Sequence, residues 1–122
     1  MSTRRFLTQQ QVRDLALSLP EAYADSHMGR PDLRVRKKIF ATLPEDGLTV
    51  NLKTTPIALD MLLRDDPEAF RDVWGGRWVG VTLARVPSDE VEALLIEAYC
   101  LAASRSLAAL ARERIPSPSE GS

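Results

Sequence analysis

One cysteine and one histidine are all this sequence holds of the residue types that dominate soft-metal sites and nucleophilic catalysis, and its net charge is only −1. A lone Cys100 excludes an internal disulfide and a cysteine zinc cluster within one chain. Flanked by Tyr99 and Leu101, it reads as a small core residue. With 16 basic residues against 17 acidic ones, the molecule as a whole is not a polyanion binder, so any nucleic-acid role needs a local patch. No apolar run approaches the roughly 20 residues of a membrane span. The amino-terminal MSTRRFLTQQQ carries basic residues but no apolar stretch after them, which does not read as a secretory signal. A cytoplasmic chain that avoids membranes, monomeric or weakly dimeric, is therefore expected.

The catalytic signatures are missing as well. There is no G-x-x-x-x-G-K-[ST] loop, no G-x-G-x-x-G after a strand and no H-E-x-x-H. A Ser-His-Asp set would have to pass through His27, and no serine sits in a nucleophile-elbow setting. The acids Asp65, Asp66, Glu68 and Asp72 are spaced for helix capping rather than for paired acid–base work. The expectation is a protein that is not an enzyme, with no cofactor and no metal.

What is present is an ordinary globular composition, 44% hydrophobic and 27% charged over 122 residues, enough for one domain with its own core. That domain is placed at 1–115. The polar, proline-rich 116–122 tail is expected to be disordered. Residues 8–19 read as a helix, with Thr8 and Gln11 forming a capping box and Val12, Leu15, Ala16 and Leu19 on one face. Residues 21–32 read as a loop. Three strands follow, at 33–36, 38–43 and 48–53, paired as an antiparallel meander. In the second, alternation puts Ile39, Ala41 and Leu43 on one face and Phe40 and Thr42 on the other. Arg36-Lys37 lacks the glycine or asparagine that a two-residue turn favours, so a longer or less regular link is open there.

Thr55-Pro56 and Asp66-Pro67 each start a short helix. A strand over 78–85 and a long helix from 88 to about 112, capped by Ser88, complete the order. Clustered strands favour an α+β fold with helices packed on one sheet face. The opposite face, carrying Arg34, Phe40, Thr49, Asn51, Lys53, Trp78 and Thr82, is left partly open.

Five basic residues, Arg30, Arg34, Arg36, Lys37 and Lys38, stand against the single acid Asp32, a local charge of +4 over residues 30–38. Segregated charge of this kind can steer a polyanion although the net is near zero. A hairpin tip with Lys37 and Lys38 could lie along phosphates, with Phe40 and Trp78 as stacking surfaces. The plainer alternative is a solvated tip whose charges discourage edge pairing. His27 is a candidate ligand contact beside Arg30, or a loop histidine that fixes local backbone.

The run HMGRPDLRVRKKIFATL from His27 to Leu43, the 48–53 strand and GRWVGVTL from Gly76 to Leu83 resemble the MmcQ/YjbR-like family of small bacterial proteins, over roughly residues 8–110. The resemblance implies an α+β fold whose hairpins have been likened to a double-wing DNA-binding arrangement. Carried onto this chain, one wing is the 33–43 hairpin, with Arg34, Arg36, Lys37 and Lys38 as contacts, and the second involves Arg77 and Trp78. Leu33 stands where an aromatic is common, and Arg36-Lys37 replaces a glycine-bearing turn. The resulting expectation is DNA binding of low sequence specificity through Arg30, Arg34, Arg36, Lys37, Lys38, Lys53, Arg77 and Trp78. The alternatives are a protein-interaction module using the open sheet face or an acidic helix, and a small-molecule binder on the open sheet face around His27, Arg30 and Trp78.

Overall fold

The computed structural model describes residues 5–113, so the expected 116–122 tail lies outside the described residues. The chain opens with α1 (Gln9–Leu17), capped as expected: Thr8 Oγ1 accepts from the Gln11 amide and Gln11 Oε1 accepts from the Thr8 amide. The helix buries Val12 and Ala16. Next come β1 (Tyr23–His27) and β2 (Arg30–Val35), paired antiparallel around Met28-Gly29. The expected loop over 21–32 is thus a hairpin. All five β1 residues are exposed, so this edge strand shows none of the alternation that marks a half-buried one.

The meander continues through β3 (Lys38–Thr42) and β4 (Thr49–Lys53). The β2–β3 link is a two-residue turn, with Arg36 and Lys37 both at positive φ, 53° and 67°. Such values are strained for residues with a Cβ. Then follow α2 (Pro56–Asp65), β5 (Phe70–Asp72) and β6 (Trp78–Thr82). Thr55 caps α2 with Pro56 in its first turn, as expected. The second short helix does not form: Asp66 instead accepts from the Glu68 and Ala69 amides, and the chain enters β5 at Phe70.

A single 3₁₀ turn, Leu83–Arg85, leads to α3 (Ser88–Ala102) and α4 (Arg105–Arg112). The expected single long helix is therefore broken at Ala103, whose ψ of 164° is extended, and Ser104 recaps the chain by accepting from the Leu107 amide. Ser88 lies inside α3 and makes no cap; Pro87 precedes it.

The six strands form one antiparallel sheet in the order β1-β2-β3-β4-β6-β5. The helices sit on one face, α3 against β3 and β4 and α1 against α3. The α+β class holds, with more strands than expected. One irregularity decides which side chains face where. Leu33 pairs with Ala41 and Arg34 with Ile39, so Phe40 is an extra residue, a β-bulge that reverses the alternation. Phe40 therefore turns into the core, fully buried and edge-to-face with Tyr99, with ring centroids 5.5 Å apart. The expectation that Phe40 lies on the open face is corrected on that ground. Ala41 is buried beside it, while Ile39 and Thr42 face the other way.

Candidate functional site

Antiparallel partners share a face, so the pairings lay out the open side as rows. One row runs Asp25, Asp32, Thr42, Asn51, Gly80, Arg71 across all six strands. His27 and Arg30 pair beyond one end of it, at the β1–β2 tip, and Lys53 pairs with Trp78 towards the opposite corner. Sheets twist with a fixed hand, which lifts two diagonal corners towards the same side. The outcome is a concave face with a cavity of about 620 Å³. His27 and Arg30 line one flank, Trp74, Arg77 and Trp78 the other, and Ile39, Thr42 and Asn51 lie between them.

Each flank rests on a tight hairpin. Met28 and Gly29, at φ 53° and 81°, bring His27 opposite Arg30. Gly75 and Gly76, at φ 70° and 95°, turn the chain between Trp74 and Arg77, and the Asp72 carboxylate accepts from the Gly76 amide at 3.0 Å. Two glycines take these successive left-handed positions without the strain that a Cβ brings to the Arg36-Lys37 turn. The Trp74 and Trp78 rings meet edge to face, 5.4 Å between centroids at 81°. Lys53 Nζ stands 5.4 Å from the Trp78 ring centroid, within cation–π range.

Asn51 is 7% exposed. Its Nδ2 donates to Thr42 Oγ1 at 3.0 Å, which leaves Oδ1 as the one buried side-chain polar atom without a partner among the described residues.

The basic cluster of residues 30–38 does not converge. Arg34 is locked by a fork onto Asp32, with Nε to Oδ1 at 2.8 Å and Nη2 to Oδ2 at 3.0 Å, and Asp25 lies 3.7 Å away. The hydrogen bond to Asp32 raises the Arg34 pKa above its ordinary value, so this guanidinium is permanently charged and already partnered. Arg36 pairs with Glu21 at 3.3 Å. Lys37 and Lys38 remain at the β2–β3 tip, which lines no part of the cavity. That tip is separated from Arg30 by the length of β2, roughly 17–20 Å at about 3.3 Å per residue. Arg30 and Arg77 line the cavity, and neither is ion-paired among the described residues.

The structure thus gathers Arg30, Arg77, Trp78 and His27, with Lys53 beside them, and sets Arg34, Arg36, Lys37 and Lys38 apart. His27 lies at the end of β1, not in a loop. Trp74, Ile39 and Thr42 were not among the site residues expected from sequence. Trp74 had one available signal, an aromatic on each side of the Gly75-Gly76 turn. Ile39 had none, because the bulge that turns it outward leaves no mark in the alternation, whereas the alternation already put Thr42 on the side expected to hold Phe40. Among the described residues no group of three His, Cys, Asp or Glu side chains is placed to hold a metal ion, and no helix is long and apolar enough to cross a membrane.

Comparison with known proteins bears on the fold. The YjbR family model matches residues 17–101. The crystal structure of a Deinococcus radiodurans protein with the DUF419 domain is similar at a TM-score of 0.73 and 20% identity, covering 90% of this chain and 88% of that one. A Pseudomonas syringae protein is similar at a TM-score of 0.64 and 16% identity, covering 79% of this chain and 99% of its own. No curated protein matches.

Proposed function

The chain belongs to the YjbR family, and we propose that it binds DNA, with low sequence specificity and without making or breaking bonds, through the concave sheet face rather than through the 33–43 hairpin tip. The observation that carries this reading is the meeting of Arg30, Arg77, Trp74 and Trp78 around one cavity, the two arginines being unpaired among the described residues. Arginines give phosphates a bidentate partner, and tryptophan faces accept any base, so the combination tracks a strand without reading its sequence. Lys53, poised over Trp78, adds a third cation on the same flank. The tip is less suited. Arg34 and Arg36 are tied to carboxylates, which would have to be displaced before either could meet a phosphate.

Binding of labelled DNA across a salt series tests the proposal. Three phosphate contacts, from Arg30, Lys53 and Arg77, correspond to a log–log slope of about −2.7 for duplex or about −2.1 for a single strand. Replacing Arg30 and Arg77 together by alanine should flatten the slope by about 1.4 to 1.8. Replacing Lys37 and Lys38 by glutamate should change it less. No binding at low ionic strength would overturn the proposal, and a slope that responds only to Lys37 and Lys38 would return the contact to the tip. A second reading, a non-catalytic small-molecule site, draws on the cavity's volume, which falls in the range of ligand pockets.

A further inference from the structure

We infer that the cavity takes a zwitterion, an α-amino acid with an aromatic side chain, whose carboxylate meets Arg30, whose ammonium meets Glu45 and whose ring lies along the apolar floor towards Ile39 and Trp78. The inference rests on the second reading above, the concave face as a small-molecule site, and names the class of molecule that such a site would hold.

The charges decide the class. Besides His27, the cavity is lined by Arg30, Asp32, Glu45 and Arg77. Asp32 is 2% exposed and both of its oxygens are held in the Arg34 fork, so its charge is balanced where it stands. Arg30, Glu45 and Arg77 have no ion pair among the described residues. Glu45 belongs to the corner of Arg30. The Leu43 amide donates to the Pro31 carbonyl at 3.1 Å, which ties the end of β3 to the start of β2, and the chain runs on through Pro44 to Glu45. The backbone around Glu45 is anchored on both sides. Gln9 Nε2 donates to the Pro44 carbonyl at 2.8 Å and to the Thr49 carbonyl at 2.7 Å, and the Asp46 carboxylate accepts from the Leu48 and Thr49 amides. One corner thus presents a guanidinium and a carboxylate on adjoining, anchored segments with no ion pair between them. A simple anion there meets Glu45, and a simple cation meets Arg30. A molecule with both charges on neighbouring atoms satisfies the two together, and an α-amino acid has that arrangement. Both side chains are exposed, so each contact is worth only a modest factor in affinity. The floor sets the rest of the ligand. Pro31, Leu43 and Ile39 lead from this corner towards Trp78. Three strand steps of roughly 4.8 Å and four residues of roughly 3.3 Å set the backbones of Arg30 and Trp78 roughly 20 Å apart. A long, flat side chain reaching inward from the ionic corner covers that floor and meets the indole, whereas a methyl group leaves it bare.

Both tryptophans of the chain line this cavity, so their fluorescence reports on this site. The test titrates the full chain with L-phenylalanine, with hydrocinnamate, which lacks the amine, with phenethylamine, which lacks the carboxylate, and with L-alanine, following tryptophan emission and calorimetric heat. Expected are saturable binding of phenylalanine, about fivefold tighter than either singly charged analogue, and no binding of alanine. Glu45→Gln should remove the advantage over hydrocinnamate, and Arg30→Gln the advantage over phenethylamine, with circular dichroism melts confirming that each variant is folded. Equal affinity for the three aromatic ligands, or a preference that survives both substitutions, leaves the small-molecule reading standing and overturns this inference. Binding of none of the aromatic ligands overturns it as well, and thermal shifts against a metabolite panel then decide the small-molecule reading separately.

Discussion

Replacing Phe40 by alanine tests the bulge on which the geometry of the open face depends. Phe40 is fully buried, and its ring stands edge-to-face on Tyr99 at 5.5 Å. Removing it forfeits a transfer term of about 1.5–3 kcal/mol, an aromatic pair of about 0.5–1.5 kcal/mol, and a cavity contribution on top. The sum falls near 4 kcal/mol, inside the span of about 3–5 kcal/mol typical of buried phenylalanines. For a domain of this size that lowers Tm by on the order of 15 °C. Its neighbour Ile39 is half-buried and borders the cavity, so Ile39→Ala should lose only about 1 kcal/mol. Urea unfolding of the two variants, with m unchanged, measures both values. The plain alternation of the sequence makes the opposite prediction, Ile39 inside and Phe40 outside. A loss below about 1.5 kcal/mol for Phe40→Ala, or a larger loss for Ile39→Ala, would refute the bulge and with it the placement of Ile39 on the open face.

The remaining predictions concern the turns and the helices. Asp46 accepts from the Leu48 and Thr49 amides and from Thr49 Oγ1, and the Leu48 amide leads in holding its carboxyl below the usual range. Its contribution is therefore complete above an unfolded pKa of about 4 and is lost as pH falls through the lower folded value, so the Tm gap between wild type and Asp46→Ala should narrow as pH falls below about 4. Burial pushes the Cys100 thiol up, and its Sγ lies 3.8 Å from the Ala108 carbonyl oxygen; a disulfide reagent at neutral pH should react slowly with folded protein and fast in urea. The same shift means that stability should decline above about pH 9, where the unfolded thiol ionises and the folded one resists. A Cβ at Gly80 would meet Val73 Cγ1 at 2.9 Å and Arg71 Cγ at 3.0 Å, so Gly80→Ala should lose about 1–3 kcal/mol in urea unfolding. Because Val73 leads into Trp74, the variant's tryptophan emission should shift too.

Elements with local chemistry were legible in the residues. Thr8 with Gln11 and Thr55 with Pro56 cap their helices because side chain and amide are neighbours in sequence. The 48–53 strand alternates because one of its faces is buried by α3. Elements defined by their surroundings were not legible. β1 is exposed on both faces, so Tyr-Ala-Asp-Ser-His carries no period to detect. β5 has three residues, fewer than two cycles of alternation. The break at Ala103 interrupts a sequence of good helix formers, and only Ser104 hints at it. For the site, His27, Arg30 and Trp78 could be named and grouped as a small-molecule alternative, but the joining of Arg77 and Trp74 to them could not. It depends on sheet twist and on two hairpin tips at opposite corners, which no spacing along the chain encodes.

That dependence also bears on the basic residues that stand close together in the sequence. Charge counted along residues 30–38 assumes that neighbours in sequence act at one place. β2 lies across that window, and an extended strand separates its ends while its cross-strand neighbours supply partners. Asp32 neighbours Arg34 two residues along the same strand, and Asp25 and Glu21 come near Arg34 and Arg36 because the chain folds back along β2. The pairs that form leave Arg30 as the cavity-facing cation of that window, and Arg77, forty-odd residues away in sequence, joins it across the sheet. An anion approaching this molecule meets a tip with two lysines, or a concave face where two guanidiniums without ion pairs among the described residues flank tryptophan surfaces, with Asp32 and Glu45 also in its lining. Only the second gathers arginine and tryptophan side chains in one place, and that gathering is what supports placing the proposed contact there.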